Sequence, residues 1–253
     1  MIPKVIHYCW FGHNPLPPLA LKCIESWKKY LPDYEIKEWN EDNFDVNMIS
    51  YTQEAYAAKK YAFVSDYARF WILYHYGGLY FDTDVEVIRN MDDIIARGPF
   101  MGQELCLSNQ CHQEAVVPSL NVNPGLGLGA SPGLGLYKKI LDKYTTLHFV
   151  VDGVLNETTI VKYTSDLLNE YPLKKHAEGI DCIESVYIYL PEYFCPIDYQ
   201  SGKKVITSNT VSIHHFASSW KSNKDLLKFK IIRFLGEDLT QKIVAIKKKL
   251  LRH

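Results

Sequence analysis

The amino-acid sequence predicts one domain of the α/β class with a mostly parallel, doubly wound central sheet. Strand-like and helix-like patterns alternate along the chain from its first residues, which is the order that such sheets require. No linker rich in proline, serine or glycine divides the 253 residues, and that length can bury one large core. The third observation is an apolar strand that ends in two carboxylates, Asp82 and Asp84, because ligands gather at the carboxyl ends of strands in these folds.

The first three elements are predicted in the order strand, helix, strand. Residues 4–12 form an almost continuous apolar sequence closed by Gly12, which is typical of a central strand. Residues 19–30 carry apolar side chains at helical spacing, and a proline follows the predicted end of the helix. Residues 34–39 alternate in polarity, as a half-exposed strand does.

The next elements lead to the acid pair. Helical spacing returns over about residues 53–76, and Gly77 stands where a left-handed cap would end the helix. A short strand is predicted at residues 79–81, directly before the acids, and another at residues 85–88. The acid pair and the end of the first strand should therefore meet at one edge of the sheet.

The second half of the chain is less regular. Residues 121–129 are rich in glycine but lack the lysine of a P-loop and the ribose acid of a dinucleotide fingerprint. A backbone that passes close to a ligand and a plain surface loop both remain open there. Residues 205–216 have the pattern of a strand or hairpin. We predict a main domain over residues 1–220 and a basic amphipathic helical tail over residues 221–253.

Composition and charge exclude several classes of protein. With 47% hydrophobic and 23% charged residues, the chain is not disordered. The net charge of −1 divides into +7 from Lys221 onward and −8 before it. A nucleic-acid-binding protein would not concentrate its basic charge in one helix beside an acidic body, so we expect no nucleic-acid partner. A surface for anionic lipids and a solvated helix both remain open for the tail.

Cysteine use and the absence of targeting patterns indicate a compartment. The six cysteines are scattered without a CxxC pair, no signal-like segment is recognisable, and no apolar stretch approaches the ~20 residues of a spanning helix. We therefore expect a cytoplasmic protein, with peripheral attachment to the inner face of the cell membrane left open. Cys106, Cys111 and His112 form only a weak zinc pattern, because a second pair of ligands is missing.

Two acids and an arginine form the strongest functional pattern. Asp82 and Asp84 can share one divalent metal, and Mg²⁺ and Mn²⁺ prefer oxygen ligands and commonly carry substrate phosphates. One helix upstream, Asp66 and Arg69 share a face at i, i+3 spacing, so the arginine can add a planar donor for phosphate. The pattern predicts a nucleotide-diphosphate site, although the Asp66–Arg69 pair can also be a salt bridge that holds the helix to the sheet.

Aromatic and imidazole groups accompany this pattern. Trp10 lies beside Gly12 at a strand end, where its ring is either part of the core or open for stacking on a base. His214 and His215 point to opposite faces of an extended segment, so at most one faces the metal, and we expect this to be His215. Trp220 fits a closing loop slightly better than a core position.

Four blocks of this sequence resemble the glycosyltransferases of family 32. That family includes the DXD sugar transferases of bacterial capsule and surface-polysaccharide synthesis, and the clostridial-toxin glucosyltransferases are similar to it at a greater distance. The blocks occur in the expected order and are IPKVIHYCWFG (residues 2–12), SDYAR (65–69), GGLYFDTD (77–84) and HHFASSW (214–220).

The resemblance implies a single Rossmann-like nucleotide-sugar-binding domain of the glycosyltransferase A type. It implies a retaining hexosyltransferase that takes a UDP-sugar as donor, Mn²⁺ or Mg²⁺ as cofactor, and an oligosaccharide or lipid-linked glycan as acceptor. The transferred sugar would be a hexose or an N-acetylhexosamine, and the product a surface polysaccharide.

The resemblance also implies roles for residues on the nucleotide side. Trp10 would stack on the uracil ring, and the strand backbone near Tyr8 and Cys9 would contact the edge of the base. Asp66 and Arg69 would hold the sugar hydroxyls and the diphosphate and would contribute to catalysis.

Further roles follow at the metal. Asp84 would ligate the metal directly. Asp82 would lie beside the metal in contact with the ribose or the sugar and would contribute to catalysis. His215 and Ser218 would approach the metal or the diphosphate, and Trp220 would close over the phosphates.

Three points stay open on the sequence alone. The asparagine of the family could be Asn121 or Asn123, and we assign the donor contact to Asn123. The Gly-Pro common further on is missing from residues 156–160, so the acceptor side is unassigned. A haloacid-dehalogenase-like phosphatase also places two acids after a strand, and a non-catalytic glycan-binding or membrane-surface protein would use the same aromatic groups.

Overall fold

The computed structural model of the protein describes residues 1–105, 119–172, 179–198 and 202–217. Within these ranges the strands are β1 (Val5–Cys9), β2 (Glu35–Trp39), β3 (Gly78–Tyr80), β4 (Val85–Val87), β5 (Phe100–Gly102), β6 (Leu128–Ala130), β7 (Val150–Val151), β8 (Val154–Leu155), β9 (Asp181–Ile183), β10 (Val186–Tyr189) and β11 (Ser212–His214). The helices are α1 (Pro18–Tyr30), α2 (Ser50–Ala57), α3 (Tyr61–Tyr76), α4 (Asp92–Arg97), α5 (Gly135–Thr145), α6 (Ile160–Leu168) and α7 (Pro191–Phe194).

A seven-stranded sheet forms the centre, in the order β2-β1-β3-β6-β5-β10-β9. Strand β1 is parallel to both β2 and β3, and β10 is parallel to β5, whereas β6 and β9 are antiparallel to their neighbours. Five of the seven strands therefore run in one direction. The predicted α/β class with a mostly parallel sheet is confirmed.

Helices cover both faces of this sheet, which gives one Rossmann-like layered domain. On one face, α3 and α5 contribute buried side chains such as Phe70 and Tyr137 to an apolar cluster. On the other face, α1, α4 and α7 contribute side chains such as Trp27 and Phe194 to a second cluster. The sheet is thus buried on both sides, which explains why its first strand is apolar at almost every position.

The helix predicted over residues 53–76 is two helices. The chain leaves the helical conformation after α2 and enters α3 at Tyr61, and Lys59 between them has a positive φ of 57°. Tyr61 packs so closely against Gly12 that a Cβ at Gly12 would clash with its ring. The break between α2 and α3 therefore brings this turn next to the end of β1, which apolar spacing could not show.

The glycine pair after α3 has a different role from the one predicted. Gly77 has φ 65° and ψ −160°, which is a positive φ but not the left-handed helical cap. A Cβ at Gly77 would lie 2.8 Å from the carbonyl oxygen of Ala130, and one at Gly78 would lie 2.6 Å from that of Val5. The pair therefore lets β3 enter the sheet between β1 and β6.

A small two-stranded sheet completes the region around the acids. Strand β11 pairs antiparallel with β4, and His214 lies opposite Val85. The indole nitrogen of Trp27 on α1 donates a hydrogen bond to the carbonyl oxygen of Val85 at 2.7 Å, which fixes β4 against α1. The pairing of these strands brings two distant parts of the sequence to one place.

Two sequence expectations concern other parts of the chain. In the described ranges, no helix has the length and apolar character needed to cross a bilayer. The predicted boundary at residue 220, the basic tail, Ser218, Trp220 and the weak zinc pattern at residues 106–112 lie outside the described residues.

Candidate functional site

A cleft with a volume of about 640 Å³ opens at the carboxyl ends of the central strands. It contains side chains from every sequence block that the structure describes. The site residues predicted from the sequence that line it are Cys9, Trp10, Asp66, Arg69, Asp82, Asp84 and Asn123. The structure therefore brings together groups that lie far apart in the sequence.

The buried ion pair on α3 faces this cleft. The guanidinium of Arg69 lies 2.9 Å from Asp66 and 3.3 Å from Asp82, and its Nε donates to the carbonyl oxygen of Ser65 at 3.2 Å. Its guanidinium also lies over the ring of Tyr80, 5.0 Å from the centroid. The Asp66–Arg69 pair lies within α3, and the contact of Arg69 with Asp82 ties this helix to the end of β3. These contacts also fix the arginine at the cleft, while its binding of phosphate stays a prediction.

Burial sets the ionisation of this group. Burial raises the pKa of Asp66 to about 7, against the attraction of Arg69. Burial opposes the charge of Arg69, but Asp82, Tyr80 and Asp66 together outweigh this effect and raise the pKa of the guanidinium above its ordinary value. The buried arginine is therefore a permanent positive charge at the wall of the cleft.

The second acid of the pair is held by a histidine and a backbone amide. Nε2 of His214 lies 3.1 Å from Oδ1 of Asp84, and the amide of Ala217 donates to Oδ2 at 2.7 Å. Burial would raise the pKa of Asp84, but His214 and Ala217 lower it to about 2. Burial would likewise lower the pKa of His214, but Asp84 raises it.

Asp82, Asp84 and His214 fit a divalent metal. One possible ligand atom from each of the three lies within 4.8 Å of the others. Nδ1 of His214 is buried and has no hydrogen-bond partner within the described part of the chain. Two carboxylates and one imidazole form a donor set that suits a divalent cation.

The prediction that His215 faces the acids is wrong in its geometry. Alternation along the strand directs His214 to Asp84 and His215 to the opposite side, where its Nε2 lies 2.8 Å from Glu86. Glu86 is also bound by Lys22 at 2.9 Å. The sequence alone did not show which face of β11 is directed toward the acids. The pairing of β11 with β4 determines that His214 lies on this face.

The end of β1 forms another wall of the cleft. Trp10 is half-buried, and its indole nitrogen donates to the carbonyl oxygen of Asn14 at 2.6 Å, so the ring is fixed at the cleft surface. Cys9 is buried, and burial raises the pKa of its thiol to about 12, which excludes a thiolate nucleophile. The side chain of Tyr8 points to the other face and donates to Glu38 at 2.6 Å. The contact predicted for the Tyr8 backbone stays a prediction.

The two candidate asparagines lie next to each other around one carboxylate that the sequence motifs missed. Asn123 lines the cleft, and its Nδ2 donates to Oε1 of Glu104 at 3.1 Å. The side chain of Asn121 also hydrogen-bonds Glu104, and the carbonyl oxygen of Asn121 accepts from the Glu104 amide at 2.8 Å. Burial raises the pKa of Glu104 above its ordinary value, against these hydrogen bonds. The available signal was an acid shortly after an apolar strand, as for Asp82.

Close packing explains the glycines in the same segment. The side-chain oxygen of Asn123 accepts from the amide of Gly125 at 2.7 Å. A Cβ at Gly125 would clash with the carboxylate of Asp82. The glycine-rich residues therefore belong to the floor of the cleft and to β6, rather than to a plain surface loop.

An Asp-x-Asp pair and a buried arginine lie at the carboxyl edge of this α/β sheet, in blocks of the sequence that resemble the DXD sugar transferases. Residues 17–101 match the family described as the glycosyltransferase sugar-binding region containing a DXD motif. This segment runs from α1 to β5 and contains Asp66, Arg69, Asp82 and Asp84. The resemblance found in the sequence is confirmed.

Relatives and solved structures that are described as sugar transferases match segments of different length in this chain. Inositol phosphoceramide mannosyltransferase 1 of Schizosaccharomyces pombe is 31% identical over 111 residues, which is 40% of this chain and 33% of the yeast protein. Glycosyltransferase L373 of Acanthamoeba polyphaga mimivirus, an uncharacterized protein, is 27% identical over 90% of this chain and 87% of its own length. The PaToxG glycosyltransferase structure is 18% identical, covers 67% of this chain and 68% of its own, and has a TM-score of 0.47. The chain therefore spans only about a third of the yeast relative.

Proposed function

We propose that this protein is a metal-dependent, retaining glycosyltransferase that moves a hexose or an N-acetylhexosamine from a UDP-sugar to a glycan acceptor. The observation that carries the proposal is the meeting of Asp82, Asp84 and His214 at one point of a cleft. Arg69 and Trp10 line the same cleft. Together these groups offer a metal site, a diphosphate site and a surface for a base.

The charge of the departing nucleotide explains the need for these groups. Breaking the bond between the sugar and the diphosphate leaves negative charge on the phosphate oxygens, and a fixed positive charge in a buried site stabilises it. Arg69 supplies this charge with its orientation already set by Asp66 and Asp82. A divalent cation, when bound, would add Lewis-acid stabilisation of the same oxygens.

Asp82, Asp84 and His214 would hold that cation. An imidazole beside two carboxylates suits Mn²⁺ better than Mg²⁺, which prefers oxygen ligands alone. We therefore propose Mn²⁺ as the better cofactor. The activity with Mn²⁺ should exceed the activity with Mg²⁺ at equal free concentration.

The anomeric configuration of the sugar is retained in this proposal. In the described part of the cleft, the two carboxylates outside the acid pair are both engaged by neighbouring side chains, Asp66 by Arg69 and Glu104 by Asn121 and Asn123. We infer that the acceptor hydroxyl attacks from the face of the departing phosphate, while the chain holds both sugars close together. A reaction followed by NMR should give the α-configured product from a UDP-α-sugar, and a β-configured product would contradict retention.

The acceptor and the cellular place are further parts of the proposal. The name of the yeast relative includes an inositol phosphoceramide, which supports a lipid-linked glycan as the acceptor. The charge of +7 from Lys221 onward supports attachment to the anionic inner surface of the cell membrane, where surface polysaccharide is made. Co-sedimentation with anionic liposomes should fall for a chain that ends at Ser222, and equal binding of both chains would reject the attachment.

Nucleotide release is the experiment that tests the central proposal. UDP-glucose, UDP-galactose and their N-acetylamino forms are incubated with and without Mn²⁺, beside GDP-mannose, and free nucleotide is measured. We expect Mn²⁺-dependent UDP release that Asp84→Asn abolishes. Glu86→Gln should retain it, because Glu86 is paired with Lys22 and His215 and does not line the cleft. Release of GDP alone would contradict the UDP donor, and phosphate release from sugar phosphates would favour the phosphatase.

A further inference from the structure

Glu104 is a carboxylate in the wall of the cleft that no sequence motif includes. It follows β5, where the bridge between Gln103 and Val122 extends the strand pairing beyond Gly102. Its amide donates to the carbonyl oxygen of Asn121 at 2.8 Å, and its Oε1 accepts from Asn123 at 3.1 Å. Both the backbone and the side chain of Glu104 are therefore held in place.

Contacts through Asn123 connect Glu104 with the acid pair. The side-chain oxygen of Asn123 accepts from the amide of Gly125 at 2.7 Å, and Gly125 packs directly against the carboxylate of Asp82. Asn123 thus connects Glu104 with Asp82 through Gly125, and Glu104, Asn123 and Asp82 all line the same cleft. If the diphosphate lies at Asp82 and Asp84, the space beside Glu104 is open to the sugar attached to it.

The chemistry of this carboxylate suits a hydroxyl group. Within the described ranges, no lysine or arginine forms an ion pair with Glu104, and the nearby cationic group that acts on it is the imidazole of His214. A carboxylate accepts several hydrogen bonds and donates none when ionised, and a sugar hydroxyl is a matching donor. The amide group of Asn123 has a second hydrogen besides the one that it gives to Glu104, so the two side chains can offer an acceptor and a donor together.

We propose that Glu104 is a specificity-determining residue that accepts a hydrogen bond from a hydroxyl of the transferred sugar, with Asn123 as its positioning partner. The inference rests on the proposed function, because it requires a nucleotide sugar in the cleft. It adds to the contacts expected of Asp66, Arg69 and Asp82 a carboxylate that lies outside the sequence motifs and would contact the sugar without contacting the nucleotide.

Comparing the affinity for UDP with the affinity for UDP-sugars shows how much the sugar part of the donor contributes to binding. Dissociation constants are measured by calorimetry in saturating Mn²⁺ for UDP and for each of the four UDP-sugars. The ratio of the constant for UDP to that for the tightest UDP-sugar gives the contribution of the sugar. We expect Glu104→Ala to lower this ratio by about tenfold or more, since hydrogen bonds to charged groups are worth that much, with the constant for UDP unchanged. Glu104→Gln, which keeps the shape and one acceptor oxygen, should lower it less.

The control is Glu86→Gln, which removes a carboxylate on the outward side of β4 and should leave the ratio unchanged. Thermal unfolding of each variant shows that the fold is kept. An unchanged ratio in Glu104→Ala would overturn the proposal, and an equal weakening of UDP and UDP-sugar would also overturn it by revealing a purely structural role. If wild-type protein binds no UDP with Mn²⁺, the proposed function itself fails, and the two failures are thus distinct. A normal ratio with lost transfer would assign Glu104 to the acceptor instead.

Discussion

Single side chains in the cleft have structural and chemical roles at the same time. Arg69 is buried, with its guanidinium between two carboxylates and an aromatic ring. Breaking a buried pair by removing one partner costs about 3–5 kcal/mol, because the other charge stays buried without compensation. The chain therefore cannot lose Arg69 without also loosening the contact of α3 with the sheet. The sequence spacing of Asp66 and Arg69 predicted their shared face, but not that Asp82 completes the group.

The two adjacent histidines allow a direct test of the metal site. We expect His214→Gln to weaken Mn²⁺ binding by about tenfold or more, since a ligand is removed, and His215→Gln to leave it nearly unchanged. The reason is that His214 lies beside Asp84 whereas His215 is paired with Glu86. Mn²⁺ binding is followed by electron paramagnetic resonance of the free ion. A larger loss in His215→Gln would contradict the assignment.

A buried histidine outside the cleft makes stability depend on pH. Nδ1 of His7 can only accept the hydrogen bond of the Trp39 indole at 3.0 Å, so Nε2 carries the proton and donates to Gly77 at 3.0 Å. Burial lowers the pKa of His7 to about 4, despite the bond to Gly77. Between about pH 6.5 and about pH 4, His7 is protonated in the unfolded chain but neutral in the folded protein. The folded protein is therefore most stable, as far as His7 is concerned, above about pH 6.5, and this stability is lost as the pH falls toward 4.

We expect this loss to reach about 2 kcal/mol at about pH 5 relative to neutral pH. Urea unfolding of wild type and His7→Gln at both pH values measures it, and the variant cancels the effects of other titrating groups. The stability difference between the two proteins should shrink at the lower pH. A constant difference would show that His7 is not held neutral by the fold.

At the scale of elements, the close packing of β6 in the sheet depends on glycine. A Cβ at Gly129 would clash with the ring of Phe100, which is fully buried and stacks on Phe194 at 5.5 Å between ring centroids. We expect Gly129→Ala to lower the free energy of unfolding by about 1–3 kcal/mol through overpacking. At Gly135, the first residue of α5, a Cβ would meet no atom within 4 Å, so Gly135→Ala should be neutral or slightly stabilising. Equal effects of the two changes in urea unfolding would contradict this packing.

The helices and strands also show which parts of the fold could be predicted from the sequence. Apolar strands and helical spacing predicted β1, α1, β2 and β3, because local patterns determine them. The antiparallel β6 was not predicted, because its glycines resemble a loop unless the neighbouring Phe100 is known. The break between α2 and α3 and the orientation of His214 were missed for the same reason, since both depend on partners distant in the sequence. Glu104 was also missed in the sequence, because the asparagine that binds it comes from a different segment.

The whole molecule joins these elements at one cleft, so ligand binding should stabilise the complete fold. The cleft contains residues from β1, α3, the acid pair, the segment before β6 and β11, which covers both halves of the sheet. A ligand at about 100 times its dissociation constant adds about 2.7 kcal/mol to the folded state, which corresponds to a rise of about 5–10 °C in Tm for a chain of this size. We expect UDP with Mn²⁺ to give this rise in wild type and in Glu86→Gln, because both keep the metal ligands. In Asp84→Asn the rise should largely disappear, and UDP without Mn²⁺ should give little rise in any of the three. Differential scanning fluorimetry measures all of these, and an undiminished rise in Asp84→Asn would place the metal and the diphosphate somewhere other than this cleft.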